Sequence, residues 1–414
     1  MQRNFQTALE QAPLHKEVPF PAEEFHNRWR NIRQAMAREE IDLLFLSSPE
    51  AIYYVSGFQG EWYQAQSGRA FPPSSGVAIH ADYDNTIHFE TPSEAILTNI
   101  GTVSEDIRIF PLENRRDGLP FILSELESVG WLSGKRIGLE RYSYRQNPTI
   151  AKAYKLGFEA KGLEVVDCSD LIAQIKHVKS PKEMEAMAQA ARIAEIGMTA
   201  ARNAIYPGVT ELEVYGQMIA AMAKAGGEVS GIIPPIASGF RSNCLHPLAS
   251  RKKITKGERI IVDVSGVFKR YHVNMARTFW LGEPPTDAAK LHNSSVKAFD
   301  IIKERLKPNL PVFELLDAVK DHYASHDLLE DCYWSGGYEL GIAFPPDWVG
   351  AFIYDTTISG PEDAFLPMTV VNHECNFFGP RATGMSATID TFFFHKESAE
   401  IATNFPRQLE GLCL

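Results

Sequence analysis

The run RIIVDVSGVFKRYHVNMARTFW holds the residues whose types and spacing best suit chemistry. Asp263 follows three apolar residues, Ile260, Ile261 and Val262, so a carboxylate stands where a buried strand would end. Asn274 comes in a second apolar run, with Arg277 behind it. A strand, a turn around Gly266–Lys269 and a returning strand would set Asp263 and Asn274 side by side. The plain alternative is an ordinary hairpin with one buried, hydrogen-bonded Asp, and periodicity alone does not separate the two.

The elements that must position these residues fall into two halves. A chain of 414 residues, 44% hydrophobic and 22% charged, exceeds one ordinary core and implies two domains. A helical run, PAEEFHNRWRNIRQAMAREEI, leads into IDLLFLSS, a short buried strand; further strands are expected at GVAIHA, TIHFET and SGKRIGLERY, and a helix at Pro148–Lys161. Alternating strands and helices predict an α/β domain over residues 1–172. A second start is written at Ser180-Pro181-Lys182-Glu183, a capping Ser with Pro at the first helical position and Glu three residues after the cap. Thr210 and Glu213 repeat the pattern. Helices are expected at Thr286–Leu306 and Val312–His326, among the strand pairs RIIVDVSG, YHVNMARTFW, PMTVVNHECNFF and TIDTFFFH. Residues 173–414 therefore read as an α+β domain.

Composition excludes several function classes. With 41 Lys and Arg against 52 Asp and Glu, the net charge of −11 argues against nucleic acid as a partner. No stretch reaches the roughly 20 apolar residues of a membrane helix, and the polar start lacks the apolar core of a secretory signal. Five scattered cysteines without a CxxC pair point to a reduced, cytoplasmic setting.

Taken in order, LLFLSSPEAIYYVSGF, IKHVKSPKEMEAMAQAARIAEIG, ASGFRSNCLHP, GERIIVDVSGVFKRYHVNMARTFWLG and SGGYELGIAFPPDW resemble the pita-bread-fold aminopeptidase, prolidase and creatinase family over most of the chain. The resemblance implies a creatinase-like α/β amino-terminal domain followed by a pita-bread-fold catalytic domain. Active metallopeptidases of that family hold two divalent ions with two Asp, one His and two Glu. Carried over residue by residue, the first Asp is matched by Asp263 and the second falls on Asn274, ahead of Arg277-Thr278. The His falls on Tyr338 in GGYELG. The first Glu, by ungapped alignment of MTVVNHE, falls on His373 with Glu374 next to it, and the last falls on Ile389, just before Asp390. A dinuclear site needs several anionic or imidazole ligands, so the resemblance implies no metal and no cofactor. A single ion on Asp263, His373 and Glu374 is the remaining metal alternative.

His246, in SNCLHP, occupies the position of the family's active-site histidine, which lies outside the metal shell and handles protons. Imidazole suits that task because it titrates near neutrality; the competing reading is a structural His. Creatinase works without metal in this family, but its Glu before Arg-Thr falls here on Ala276, and its two further His positions fall on Tyr338 and Pro345. GGYELGIAFPPDW is similar instead to ectoine hydrolases, which open a cyclic amidine. Aromatic faces attract such a cation and a buried carboxylate pairs with it. Trp348, Tyr338 and Phe344 could supply faces, or simply pack in the core. By the same resemblance the protein is a homodimer whose amino-terminal domain reaches the neighbouring active site through GFQGEWYQAQSGR, with Trp62, Tyr63 and Arg69 against substrate. The expectation is thus a metal-independent hydrolase of a C–N bond in a small polar or zwitterionic metabolite, ectoine-like or creatine-like. His246, Asp263, Glu374, His373 and Tyr338 would be catalytic, with Asn274, Arg277, Trp348, Phe344, Trp62, Tyr63 and Arg69 binding the substrate. An Xaa-Pro aminopeptidase-like enzyme or lyase with one ion, and a non-enzymatic binding module, are the alternatives.

Overall fold

A computed structural model describes residues 15–61, 74–114, 116–142, 147–379 and 384–413. The chain divides into two compact units, Met1–Lys176 and His177–Leu414. Trp62, Tyr63 and Arg69 lie outside the described residues. No helix among the described residues is long and apolar enough to cross a membrane.

The first unit is a six-stranded sheet, Leu43–Leu46 (β1), Gly76–His80 (β2), Thr86–Glu90 (β3), Asp106–Ile109 (β4), Arg136–Leu139 (β5) and Glu164–Asp167 (β6), in the order β4-β3-β2-β1-β5-β6. The central strand β1 is buried along its whole length, which is why IDLLFLSS is an unbroken apolar run rather than an alternating one. It pairs antiparallel with β2 and parallel with β5. Helices Ala22–Arg38 (α1), Pro49–Ser56 (α2), Ala95–Gly101 (α3), Leu119–Ser128 (α4), Pro148–Glu159 (α5) and Ser169–His177 (α6) complete the α/β arrangement. The segment AIYYVSGF lies in α2 and its exit. Ser48 caps that helix by accepting from Ala51 N–H, and Gly57 ends it at φ 80°.

The second unit opens with Pro181–Ala204 (α7) and Glu211–Lys224 (α8). Both carry the complete capping box that their sequences announce, Ser180 with Glu183 and Thr210 with Glu213. The principal sheet has Ile236–Ser238 (β7), Arg259–Phe268 (β8), Tyr271–Leu281 (β9), Cys332–Tyr338 (β11), Ile353–Asp355 (β12), Thr369–Gly379 (β14) and Gly384–Phe394 (β15). Their order is β12-β11-β14-β15-β9-β8-β7, with Ala399–Ile401 (β16) on β15 and Glu410–Leu412 (β17) on β9. Leu310–Pro311 (β10) and Ala364–Phe365 (β13) pair separately. Helices Thr286–Ser295 (α9), Ala298–Arg305 (α10) and Val312–Ser325 (α11) complete the unit. The single helix expected over Thr286–Leu306 is two, and its interruption follows Ser295, whose hydroxyl bonds back to His292 O.

The helices all cover one face of this sheet. Val262, Val264 and Met275 meet Met198, Val214 and Met218 of α7 and α8, while Val371, Cys375, Phe377 and Phe392 meet Phe299, Leu315 and Leu316 of α10 and α11. Side chains alternate along a strand, so the intervening residues Asp263, Asn274, Ala276, Asn372, Glu374, Asn376 and Ile389 share the other face. The hairpin turn is tighter than expected. It comprises Lys269 and Arg270 alone, both at positive φ (50° and 63°), with Phe268 paired to Tyr271. Gly266 is therefore inside β8, where α7 crosses so closely that a Cβ would lie 1.9 Å from Ala190 O. Gly266→Ala should cost about 3 kcal/mol of stability, read from denaturant unfolding; a loss below about 0.5 kcal/mol would contradict this packing.

Candidate functional site

Five strands in register build the floor of the site. Asp263 of β8 stands opposite Ala276 of β9, Ala276 opposite Ile389 of β15, Ile389 opposite Glu374 of β14, and Glu374 opposite Gly336 of β11. Two carboxylates thus flank two apolar side chains. Above them lies a cavity of about 560 Å³ lined by His246, Asp263, Tyr338, Trp348 and Glu374, with Tyr333, Trp334, Ile261, Ala276, Ala387 and Ile389. No Lys or Arg is among its described lining residues.

Amides bond the carboxylates. Asn274 Nδ2 donates to Asp263 Oδ1 at 2.7 Å and to Val264 O at 3.2 Å. Asn372 Nδ2 donates to Glu374 Oε1 and to Asn274 Oδ1, both at 3.2 Å, and Asn376 Nδ2 donates to Glu374 Oε2 at 2.9 Å. Asn274 and Asn372 reach each other across β15, whose Thr391 hydroxyl bonds both ways to the Asn274 backbone. The Tyr338 phenol lies close to Glu374 and accepts from Trp348 Nε1 at 3.0 Å. Burial, and then the nearby charges of Glu374 and Asp263, hold the Tyr338 phenol well above its usual range, so it stays a donor. His246 is exposed at the cavity wall. Its loop is tied down by buried Arg259, which donates to Ser242 Oγ at 3.0 Å and Asn243 Oδ1 at 2.8 Å, and by Arg241, which donates to Leu248 O.

The structure brings five of the expected residues to the cavity and places four others elsewhere. His373 is on the helix-covered face because its neighbour Glu374 faces the site. Its ring packs against Phe299, Tyr354 and Phe392, and burial lowers its pKa to about 3, so it is neutral. Tyr354 gives its proton to Asn372 O, which leaves His373 Nδ1 as donor to the Tyr354 oxygen at 3.1 Å. Arg277 points away from the cavity for the same reason of alternation, Ala276 being on the site face. Its guanidinium is fully engaged by Asp390, Pro406 O, Phe405 O, Ala276 O and Ile389 O. Phe344 is buried beneath the Arg270 guanidinium, 4.5 Å from ring centre, and does not line the cavity. Asn274 is wholly buried behind Asp263, a carboxylate support rather than a substrate contact. Sequence reasoning missed Tyr333, Trp334, Asn372 and Asn376. The last two were legible, since Asn372, Glu374 and Asn376 fall two apart in a strand. Tyr333 and Trp334 both reach the cavity because a bulge follows Cys332.

Among the described residues, no group of three or more His, Cys, Asp or Glu side chains could hold a metal ion. Comparison with known proteins gives the context. Residues 28–178 match the creatinase/prolidase N-terminal domain, and residues 185–388 match metallopeptidase family M24. An ectoine hydrolase of Halomonas elongata is 24% identical, covering 95% of this chain and 98% of its own. A creatinase of a Bacillus species is 23% identical, covering 78% and 76%. The solved Xaa-Pro dipeptidase of Bacillus anthracis superposes with a TM-score of 0.75 at 21% identity, covering 94% of this chain and all of that one.

Burial raises the Asp263 pKa to about 8, helped by the charge of Glu374 and opposed by the Asn274 bond. Burial likewise raises Glu374 to about 7 against the donors Asn376, Tyr338 and Asn372. In the unfolded chain both release their protons near pH 4. Between about pH 4 and pH 8 the folded state therefore holds more protons, and stability contributed by these groups falls as pH rises. Asp263→Asn and Glu374→Gln should each raise the melting temperature by about 3 °C at pH 8, with a smaller gain at pH 5. A gain that grew on acidification would contradict the assignment.

Proposed function

We propose that this chain, a hydrolase with a creatinase/prolidase amino-terminal domain and a metallopeptidase family M24 domain, hydrolyses a C–N bond of a small organic cation or zwitterion, an ectoine-like cyclic amidine, without a metal ion. One observation carries the reading: the cavity presents two buried carboxylates and four aromatic side chains, and no Lys or Arg among its described lining residues. A carboxylate out of water requires a positive partner, and a delocalised amidinium also stacks on Trp348, Trp334 and the tyrosines. The donor set supports the metal-independent form. Two carboxylates flanking Ala276 and Ile389, each already bonded by amides, do not fit a pair of divalent cations, which need several anionic ligands each.

In this reading Asp263 and Glu374 ionise against the bound amidinium and hold its plane over Ile389. Water adds to the amidine carbon while His246 accepts the water's proton. The tetrahedral centre collapses with cleavage of one C–N bond; His246 returns the proton to the departing nitrogen, and the hydroxyl proton lost as C=O forms leaves with the amine, so that an amide and an ammonium result. Tyr338 keeps Glu374 and Trp348 together throughout. The pH dependence follows: activity should rise as Glu374 and Asp263 lose protons, with limbs near pH 7 and pH 8, and a profile flat from pH 5 to 9 would argue against ionised carboxylates. His246→Ala should reduce turnover of a cyclic amidine by at least about a hundredfold without lowering the melting temperature, and full turnover would remove His246 from the mechanism. The structural likeness to Xaa-Pro dipeptidases favours a second reading, a peptidase with one ion. Cleavage of Xaa-Pro peptides that requires added manganese would select it.

A further inference from the structure

Asn372 is the point through which the whole site is connected. Its Oδ1 accepts from the backbone N–H of Tyr338 at 2.8 Å, and its Nδ2 donates once to Glu374 and once to Asn274. An Asn amide has two N–H groups and one oxygen, so every donor of Asn372 is used. The backbone N–H of Tyr338 can only donate, which fixes Oδ1 toward Tyr338 and Nδ2 toward the carboxylate. Asn274 is fixed the same way from its other end, since Val264 O can only accept. Anchored at two backbone groups, the chain of amides cannot flip: its donors face Asp263 and Glu374 whatever occupies the cavity. Asn376, by contrast, has an oxygen with no partner and no such anchor.

We infer that Asn372 is the positioning residue of this site, holding Glu374, Asn274 and the Tyr338 backbone in one fixed arrangement so that both carboxylates present acceptors to a cation. The inference rests on the function proposed above only for the identity of the cation. It explains why the neighbour on β9 is an amide: a carboxylate at position 274 would face Asp263 with no proton to give and would leave Asn372 facing two anions. It also assigns the GGY segment a purpose beyond supplying the phenol. Gly337 lies so near Asn372 that a Cβ there would be 1.9 Å from Asn372 O, which lets the Tyr338 N–H come within reach of the amide.

The test is an infrared titration of the ligand-free protein, following the protonated-carboxyl band of Glu374, identified by its loss in Glu374→Gln. Asn372→Leu removes a donor from the carboxylate and should move the Glu374 midpoint upward by about one pH unit, a tenfold gain in proton affinity. Asn372→Ser keeps one hydroxyl donor and should move it less; should the Leu variant fail to fold, the Ser variant decides alone. A residue that merely supports the fold would change the melting temperature and leave the midpoint in place. An unmoved midpoint in a folded variant overturns the inference. Because no substrate is needed, this outcome is independent of whether a cyclic amidine is turned over. Where turnover is measured, the rising limb of its pH profile should move by the same amount as the infrared midpoint.

Discussion

Two carboxylates on one face of a sheet, removed from water and bonded by amides rather than cations, set the terms for the rest of the catalytic unit. Such groups are costly to bury, and their presence requires a scaffold that does not collapse around them. The helices supply it from the opposite face, where Val264, Met275, Val371 and Phe392 lock the strands to α7, α8, α10 and α11. The register of β8, β9, β15 and β14 then leaves no freedom in where Asp263 and Glu374 stand. The aromatic side chains above them complete an environment that is apolar in bulk and anionic at two points.

This arrangement costs stability. Neither carboxylate has a charged partner among the described residues, and both are held partly protonated at neutral pH. Two other buried acids of the same unit do have cationic partners. Glu339 is pulled down to about 2: burial opposes this shift, and Lys179 and His177 more than overcome it. Asp390 meets both Arg277 and Arg407. The contrast with these paired acids is what marks Asp263 and Glu374 as candidates for function.

Much of this was legible in the sequence. Local signals gave the element pattern: the capping boxes at Ser180 and Thr210, the apolar run of β1, and the hairpin that joins Asp263 to Asn274. The motif order gave the two-domain architecture. What failed was facing. His373 and Glu374 are adjacent, Ala276 and Arg277 are adjacent, and a strand sends neighbours to opposite sides. An ungapped comparison therefore left His373 and Glu374 both in place as catalytic candidates, where only Glu374 lines the cavity, and the Arg-Thr signature drew Arg277 toward it. Asn372 and Asn376 carried a readable period of two, but an amide has no charge or titration to attract notice. The bulge after Cys332, which brings both Tyr333 and Trp334 to the cavity, leaves no trace in composition.

The central claim is that the carboxylates receive an organic cation directly and not through an inorganic one. Calorimetric binding of a cyclic amidine, with and without an excess of chelator, tests it most directly. The account predicts the same affinity in both conditions and no gain on adding manganese. Binding abolished by the chelator and restored by the metal would contradict it.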